Sequence, residues 1–570
     1  MRISFNLIDE RWIPVLRTDG TRDELGLRDT LMQAHQLREI RGDTPLETVA
    51  LHRLLLAVLH RVFGPKGRSE WLALWKRKEN GFELTPLEKY WTTWKGKFNL
   101  FDERYPFLQI ADQKQLGDAD TVNKMVLHLT QDATLFQHTL NSPIGGAELT
   151  PAQAARAVLT VQAFALGYQL FVDGPCAKGA VFLVWGDSLY ETLVLNLSRY
   201  PEEEGDYPST TDDAPAWEID SPFKVKFEGG TISRDASTKK DASGKQKLKF
   251  EGHTPLGQLD YLTWHNRKIK LLPEETQTGV VVRQIAWAPG MRLADEVTDP
   301  MQTHFKPENR GYIALSFNTD KALWRDSETL LRLADDSKKY RPIKAVKWLS
   351  LISRFEPTIL PKTLRLAAFG MAKNQAKVEF LSAETNPLPL DYLQRDDLLP
   401  HISTALEFAE KTGKLLNRCA FLLAWLIHTP STPDKNFDDL DKKFDEQTRI
   451  DDKIKRGRND KSKDRAAQHI YQLFSSFGVE RLYWSQLEVH FHRLIQDLPG
   501  DPEAAKEKWR AHLKRVARAA FNQAIAYAGA DRRAQRAIVK AEEQFRFGLA
   551  QILNINQSDT LTGGETNVPI

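Results

Sequence analysis

The chain has 570 residues, a mass of 65.1 kDa and a formal net charge of +3, because 79 lysines and arginines almost balance 76 aspartates and glutamates. This near-balance excludes a uniformly basic nucleic-acid coat and an acidic solvating chain, although it allows local basic clusters. A hydrophobic fraction of 41% with 14 tryptophans and 28 phenylalanines is typical of a folded protein. The two cysteines, Cys176 and Cys419, are too few for a disulfide framework or a four-cysteine zinc site, and they favour a reducing compartment.

No segment resembles a signal peptide or a membrane span. An arginine follows the first methionine, but no apolar run comes after it. One of the longest apolar runs, residues 419–427, is well short of the ~18 residues that a spanning helix needs. We therefore expect a cytoplasmic protein that makes no membrane contact.

Two helices in the first part of the chain carry start and stop signals. Thr44 precedes a proline and stands three positions before Glu47, which is the pattern of an N-cap with a capping box. Gly64 lies where a glycine cap would end that helix. Thr150 opens a second helix with the same pattern, and we expect Gly167 to close it.

Strand signals surround these helices. The start of the chain is predicted to be a strand around a charged turn, residues 168–180 a loop, and residues 181–185 a buried strand. Residues 202–255 are rich in Asp, Ser, Thr, Gly and Lys, and they contain two near-copies, 223–227 and 246–250. We expect these copies to form a hairpin with a lysine face that either contacts phosphates or guards an exposed edge strand. The lysines of that face are Lys224, Lys226, Lys247 and Lys249.

Beyond residue 391 the strand signals mostly stop. Helical spacing covers residues 399–429, 465–477, 484–498, 502–528 and 534–553. A segment dense in both charges, near residues 430–464, is predicted to be a mobile loop between the first two helices. The predicted fold is therefore α+β, with a large mixed domain at 1–390 followed by a helical bundle of the four-helix type at 391–570.

The common reaction signatures are missing from this sequence. We find no glycine-rich phosphate loop, no nucleophile elbow, no HExxH and no His-Asp doublet. His490 and His492 lie two apart on a predicted helix, about 200° round its axis, and so cannot share a metal ion. Glu488 and His492 have the spacing of a surface ion pair. We therefore expect no catalytic residue, no metal and no cofactor.

The strongest local positive charge lies between residues 511 and 540, a segment that contains seven basic residues and one acidic residue, Asp531. On helices of that spacing, several of these residues share a face. Such a cluster can hold a nucleic-acid backbone through counterion release, or it can be an ordinary solvated helix face. The candidates for phosphate contact are Lys514, Arg515, Arg518, Arg532, Arg533, Arg536 and Lys540.

Five short motifs follow one another in an order that identifies a family. They are the run FNLIDERWIPV at 5–15, YPFLQ at 105–109, Trp217, LTW at 262–264 and AKNQA at 372–376. Together they resemble the CasA family, the large subunit of Cascade, the type I-E CRISPR surveillance complex. The opening run is the most specific of the five.

The resemblance implies a subunit without an active site of its own. Members of this family read the protospacer-adjacent motif in double-stranded DNA and help to separate the strands, while guide-RNA pairing reads the remaining sequence. The implied partners are the CRISPR guide RNA, target double-stranded DNA, the backbone, handle-capping and small subunits of Cascade, and a recruited helicase–nuclease. A metal-dependent nuclease and an RNA-binding scaffold that does not read DNA remain the alternatives.

The resemblance also implies roles for particular positions. A loop of the family that reaches the guide-RNA handle matches Phe136, Gln137 and His138, with a core aromatic as the other interpretation of Phe136. The family's glycine-rich minor-groove loop matches the segment from Gly167 through Gly174 to Gly179, where a helix cap and an ordinary turn are the alternative. We count these three glycines among the expected DNA contacts.

Two further elements of the family enter the DNA. Counted from the Asp-Pro pair at 299–300, the basic finger of the minor groove corresponds to Arg292. The family's wedge loop matches Asn374 and Gln375, whose flanking Lys373 and Lys377 are expected to hold phosphates. An ordinary polar loop is the alternative for this segment.

Overall fold

The structure is a computed structural model, and it divides into two compact units, Met1–Gln394 and Arg395–Ile570. The first unit mixes helices and strands and the second is helical, which confirms the predicted α+β fold with a C-terminal helical region. The residues that the structure describes are 3–127, 147–167, 173–200, 212–227, 230–235, 237–240, 246–249, 251–308, 310–318, 321–332, 339–374, 377–429 and 465–553.

The helices of the first unit are mostly short, apart from one long central helix. In chain order they are α1 (Leu27–Met32), α2 (Pro45–Phe63), α3 (Arg68–Trp75), α4 (Leu84–Trp94), α5 (Pro151–Phe164), α6 (Leu189–Leu195), α7 (Gln258–Leu262), α8 (Ser327–Leu331), α9 (Lys344–Phe355) and α10 (Asp391–Gln394).

The strands of the first unit form several small sheets. In chain order they are β1 (Ile13–Arg17), β2 (Arg22–Leu25), β3 (Leu37–Ile40), β4 (Ala119–Thr121), β5 (Val181–Trp185), β6 (Lys224–Phe227), β7 (Gly230–Ser233), β8 (Ser237–Lys240), β9 (Gln246–Lys249), β10 (Gly252–His253), β11 (Arg267–Thr276), β12 (Gly279–Pro289), β13 (Arg292–Leu293), β14 (His304–Phe305), β15 (Ile313–Ala314), β16 (Tyr340–Arg341), β17 (Thr363–Asn374) and β18 (Lys377–Pro389). The three-stranded sheets have the orders β2-β1-β3, β11-β12-β4, β15-β14-β16 and β18-β17-β5, and the pairs are β10-β13, β6-β7 and β8-β9.

Helix α2 is the centre of the first unit. Every residue from Thr48 to His60 is buried, because α2 packs against α5, α7 and the β17–β18 hairpin. A helix that is covered on all sides belongs to a core, and its polar residues must find partners inside that core. Arg53 of α2 is one such residue, and its partner is the Asp299 carboxylate.

The start signals at α2 act as predicted, with one difference. The Thr44 hydroxyl accepts from the backbone N–H of Glu47, and the backbone N–H of Gly64 closes the helix on the carbonyl of His60. The Glu47 carboxylate accepts from the backbone N–H of Asp43, one residue before the position a capping box requires. The cap therefore still satisfies two donors at this end.

At α5 the predicted capping box is complete, but the predicted end is wrong. Thr150 and Gln153 bond each other's backbone N–H groups through their side chains. The helix ends at Phe164 and so does not reach Gly167. The N–H of Gly167 instead donates to Oδ1 of Asp173 at 2.7 Å.

The predicted single lysine hairpin is wrong. Strand β6 pairs with β7 directly after it, and β9 pairs with β8 directly before it, so the two near-copies lie in two separate hairpins. Adjacent segments close shorter loops than distant ones, which favours the local partners. The alternation within β6 is as predicted, since Phe223 and Val225 are buried while Lys224 and Lys226 are exposed. The side chains of Lys247 and Lys249 lie outside the described residues.

The second unit is a bundle around one long helix. Buried side chains lock the helices to its backbone: the Tyr483 hydroxyl donates to the carbonyl of Ala409 and Nε1 of Trp509 donates to that of Ala405, both at 2.9 Å. In the described part of the chain no helix is long and apolar enough to cross a membrane. The helices are α11 (Leu399–His428), α12 (Arg465–Ser476), α13 (Val479–Asp497), α14 (Pro502–Tyr527) and α15 (Arg532–Leu553).

Three histidines of the first unit are buried without charge. Burial lowers the pKa of His52 and of His265 to about 4 and that of His60 to about 3. The unfolded chain takes up these protons near pH 6.5, so between pH 6.5 and these lower values it binds more protons than the folded chain. The stability contributed by these groups is therefore complete above pH 6.5 and is lost as the pH falls.

We predict that the substitution His52→Gln will reduce this acid sensitivity. His52 alone accounts for roughly 2 kcal/mol of the stability lost between pH 7 and pH 5, because at pH 5 the unfolded chain protonates this imidazole whereas the folded chain, in which its pKa is about 4, keeps it neutral. Urea unfolding of the variant and the wild type at both pH values measures the difference. The exposed His428→Gln is the matched control and should keep the wild-type difference. An unchanged difference in His52→Gln would contradict the prediction.

Candidate functional site

Asn374, the first residue of the Asn-Gln-Ala motif, is the last residue of β17 in the β17–β18 hairpin. The ladder runs from Thr363 opposite Pro389 to Asn374 opposite Lys377, and it leaves only residues 375 and 376 between the strands. Asn374, which was predicted in a loop, thus ends a paired strand, as does Lys377 opposite it. Gln375 itself lies outside the described residues, as do the side chains of Lys373, Asn374 and Lys377.

Two features of this hairpin set the position of its tip. Strand β5 pairs with β17 only from Arg365 to Phe369, so the hairpin continues beyond β5 as a two-stranded ribbon. A register shift between Ala372 and Lys373 places a bulge just before the tip. Bulges of this kind turn a strand and re-aim its end, while the paired backbone keeps that end in place.

A second group of predicted residues meets at one cavity of about 220 Å³. Gly174 and Arg292, which are more than a hundred residues apart in sequence, both line it. We call this space the Arg292 cavity. Its walls are Asp173, Gly174, Pro175, Lys178, Tyr261, Arg292, Leu293, Ala294, Asp295, Val297, Thr298, Asp299, Gln302, His304, Tyr312 and Ala314.

Lysine and arginine side chains lie at this cavity, whose walls also include Asp173, Asp295 and Asp299. Arg292 is 41% exposed and makes a 2.9 Å ion pair with the still more exposed Asp295. Lys178 is exposed and makes no ion pair with another described residue. Two cations lie over the Tyr312 ring: Cζ of Arg341 is 3.9 Å from the ring centroid and Nζ of Lys306 is 5.7 Å from it. An aromatic ring with cations around it suits stacking and phosphate contact.

The floor of the Arg292 cavity is a buried network around Asp299. Its Oδ2 accepts from Arg53 at 2.9 Å, from the Tyr261 hydroxyl at 2.7 Å and from the Cys176 thiol at 3.3 Å. Its Oδ1 accepts from the backbone N–H of Met301 at 2.7 Å. Burial is the main reason why the pKa of the Cys176 thiol lies well above its usual value. The thiol is therefore kept neutral, and this floor is structural rather than reactive.

The glycines of the predicted minor-groove segment have packing reasons of their own. A Cβ on Gly174 would lie 2.5 Å from the carbonyl oxygen of Ala163, and one on Gly179 would lie 2.5 Å from Cβ of Ala314 and 2.8 Å from the oxygen of Leu315. The close approach that these positions permit is to the protein's own chain. Of these glycines Gly174 lines the Arg292 cavity, and Gly179 does not.

The seven basic residues predicted on α14 and α15 are all exposed. Arg515 donates to two histidines, whereas the other six make no ion pair within the described ranges. Lys514 and Arg518 are one turn apart on α14, and Arg532, Arg536 and Lys540 are successive turns of α15. The predicted faces therefore exist, and the remaining prediction for the guide-RNA loop, Phe136 to His138, lies outside the described residues.

The sequence did not point to Lys178 or Tyr312, which line the Arg292 cavity, or to the Arg341 guanidinium, which lies over the Tyr312 ring. A signal for Lys178 was present, because it lies inside the segment already assigned to the minor groove. Tyr312 follows two basic residues, Lys306 and Arg310, and aromatic residues between cations are typical of nucleic-acid contact. No group of three His, Cys, Asp or Glu side chains in the described part of the chain is placed to hold a metal ion.

Comparison with solved structures shows that this two-unit architecture of an α+β unit and a helical bundle is already known. The crystal structure of CasA from Thermus thermophilus aligns with 96% of this chain and 100% of its own at a TM-score of 0.72 and 27% identity. Cse1 from Acidimicrobium ferrooxidans shares the fold at a TM-score of 0.72 and 22% identity, over 97% of this chain and 99% of its own.

Sequence comparison identifies the family. The family described as CRISPR-associated protein Cse1 matches residues 6–520. The CRISPR-associated protein CasA/Cse1 of Thermus thermophilus is 30% identical over 554 residues, which are 95% of this chain and 96% of that protein. The chain belongs to the CRISPR-associated Cse1 family, also called CasA, and the resemblance expected from the opening motif is confirmed.

We predict that Gly179→Ala will destabilise the first unit in the absence of any ligand. The added Cβ meets Ala314 and the Leu315 carbonyl, and overpacking of this kind costs about 1–3 kcal/mol. Thermal unfolding of the free chain measures it. Gly311→Ala is the matched control, because its Cβ would meet nothing within 4 Å. Equal melting temperatures for the two variants would remove the packing explanation.

Proposed function

We propose that this chain is the large, non-catalytic subunit of an RNA-guided CRISPR surveillance complex. In this proposal it reads the protospacer-adjacent motif from the minor groove of double-stranded DNA, opens the duplex beside the motif and receives the helicase–nuclease that cleaves. Sequence beyond the motif is read by the guide RNA through base pairing, so the protein needs only shape recognition, a wedge and backbone contacts.

The observation that carries the proposal is the Arg292 cavity. Two segments assigned to the minor groove, one with Gly174 and one with Arg292, line the same space. Lys178 adds a cation without an ion-pair partner in the described ranges. The negative potential of a narrow minor groove attracts such cations, and arginine in particular.

The paired strands of the β17–β18 hairpin are evidence for the proposed wedge role. Separating a base step costs a few kcal/mol, so the inserted element must resist being pushed back. A ladder closed up to Asn374 and Lys377 resists bending better than an open loop of the same length. Lys373 and Lys377 stand at the tip, where flanking phosphates would pass.

The basic faces of α14 and α15 support backbone contact. Six exposed cations without ion-pair partners in the described ranges can each neutralise a phosphate and release counterions. We assign these faces, with Lys224 and Lys226 of β6, to the nucleic-acid backbone. Lys247 and Lys249 stay predictions of the same kind.

The proposal that this chain binds other Cascade subunits and the guide RNA rests on similarity to a known structure alone. A chain from a structure described as a CRISPR RNA-guided surveillance complex shares the fold at a TM-score of 0.63 and 18% identity, over 95% of this chain and 99% of its own. We assign Phe136, Gln137 and His138 to the guide-RNA handle. A cytoplasmic location follows from the proposed complex.

The proposal is tested by assembling the complex with guide RNA and offering it target duplexes that differ only in the adjacent motif. Binding that depends on the motif, without cleavage in Mg²⁺ or Mn²⁺, is expected. Reproducible cleavage that an acidic-residue variant abolishes would establish the nuclease instead. Equal binding to every adjacent motif would establish an RNA-binding scaffold that does not read DNA.

We predict that Gln375→Ala will slow strand opening by at least roughly tenfold while changing duplex association little. The truncated side chain no longer supplies part of the few kcal/mol that unstacking requires. A fluorescent base analogue beside the motif reports opening, and mobility shift reports association.

Gln277→Ala is a matched control for this experiment, because Gln277 is an exposed glutamine between the paired strands of another hairpin, β11–β12. It should leave both quantities unchanged. Equal loss of association and opening in Gln375→Ala, or loss of neither, would remove the wedge role.

We predict that replacing Arg532, Arg533 and Arg536 by glutamine will weaken binding to all DNA sequences alike. Each lost phosphate contact should lower the slope of log affinity against log salt by roughly 0.9. The charge-matched control replaces the exposed Arg38, Lys76 and Lys89 of the first unit by glutamine. A slope that stays at the wild-type value would identify α15 as an ordinary solvated face.

A further inference from the structure

A cluster of histidines and cations lies between helices α13 and α14. The rings of His490 and His512 stack with centroids 3.8 Å apart and planes inclined by 10°. Beside them is a cavity of about 210 Å³, which these two histidines, Arg493, Asp497, Lys508 and Trp509 help to line. Every residue of this cluster belongs to the second unit, whereas the Arg292 cavity and the β17–β18 hairpin belong to the first.

One guanidinium nitrogen bridges the two rings. Nη2 of Arg515 lies 2.7 Å from Nε2 of His490 and 3.3 Å from Nδ1 of His512. A guanidinium can only donate, so both of these ring nitrogens must accept, and both imidazoles are neutral in this arrangement. Burial and then the neighbouring cations lower the pKa of each ring below its usual value.

The charges around the pair are mostly positive. From α13 the pair is faced by Arg493 and Asp497, and from α14 by Lys508 and Arg515. Among described residues α11 contributes nothing to the cavity lining, although it packs against both helices. Asp497 is already engaged by Lys508 at 3.2 Å, and Arg493 has no hydrogen-bond or ion-pair partner within the described ranges. Among the described residues around the pair, Asp497 is a single carboxylate against the cations Arg493, Lys508 and Arg515, so positive charge is in excess.

We propose that His490, His512, Arg493 and Arg515 form a binding site for a tetrahedral oxyanion of the phosphate class, and that this anion binds together with a proton. That the anion is a phosphodiester of a nucleic-acid strand rests on the proposed function. The anion site itself does not, because it follows from the geometry of the four side chains.

Proton uptake follows from the bridging bonds. A proton added to Nε2 of His490 or Nδ1 of His512 meets an N–H of Arg515, so that bond must break and the guanidinium turns away. The freed Arg515 and the new imidazolium then both face the cavity, where an anion stabilises them. Binding the anion raises the pKa of the pair, and affinity therefore increases as the pH falls below neutrality.

The test is a titration of the full chain with inorganic sulfate, whose charge is constant between pH 6 and pH 8. Isothermal titration calorimetry should show binding several-fold tighter at pH 6 than at pH 8, up to a limit of about tenfold per pH unit for each proton taken up. A thymidine dinucleotide, which carries one phosphodiester, is the second probe. Tight binding of sulfate alone identifies a free-anion site and overturns the nucleic-acid part of the proposal.

Substitutions distinguish anion binding at this site from non-specific attraction to the positive charge of the chain. His490→Gln with His512→Gln retains two acceptors for Arg515 and should abolish the pH dependence, while Arg493→Gln should weaken binding at both pH values. His428→Gln, an exposed histidine of the same unit, is the matched control and should behave as wild type. A pH dependence that survives the double substitution overturns the proposal. So does an affinity that is unchanged in Arg493→Gln. Neither outcome concerns motif-dependent DNA binding, which has its own test above.

Discussion

The Asp299 carboxylate joins segments of the first unit that lie far apart in sequence. It binds Arg53 of the central helix α2, Tyr261 of α7 and Cys176 of the loop before β5. The side chains of the ion pair are almost fully buried, at 3% and 1% exposure, and removing one partner of such a pair costs about 3–5 kcal/mol. Asp299 and Tyr261 are also walls of the Arg292 cavity. The position of the candidate site therefore depends on the same bonds that fix the core.

The rest of that site divides into a fixed interior and an adjustable rim. Gly174, which lines the cavity, is packed against the backbone of Ala163 with no room for a Cβ, so the wall at this position keeps one shape. Lys178 and Arg292 lie at the exposed edge. The proposed ligand is the minor groove of DNA, whose width varies with the DNA sequence, and long side chains can adjust to that width. A rigid wall lowers the entropy cost of binding, and flexible cations at the edge keep electrostatic attraction over several geometries.

Sequence predicts those parts of this structure whose physics is local. The caps at Thr44 and Thr150 involve residues three positions apart, and both helices start where those patterns indicate. Strand β6 shows the limit of such prediction. The alternation of its residues predicted correctly which side chains are buried, but it did not predict the pairing partner β7, which loop closure favours. The motif at 372–376 was found in sequence, but its place at the end of two long paired strands was not. His490 shows the same limit: along its own helix the nearest histidine is His492, whereas the ring that it contacts is His512 of the neighbouring helix.

The small net charge of +3 acquires a physical meaning from these placements. Screening in physiological salt reduces interactions beyond about 8–10 Å, so a strand of nucleic acid responds to the charges beside it and hardly to the total. Lys178 and Arg292 line one cavity, and neighbouring cations such as Lys514 and Arg518 on α14, or Arg532 and Arg536 on α15, lie one helical turn apart, about 6 Å along the helix axis. The two neutral imidazoles beside Arg515 extend this argument, because they add no charge at neutral pH and become cations only where an anion stabilises them. In the role proposed for this chain, contact with nucleic acid at a few places gains nothing from a uniformly positive surface, which would attract every nucleic acid without selection.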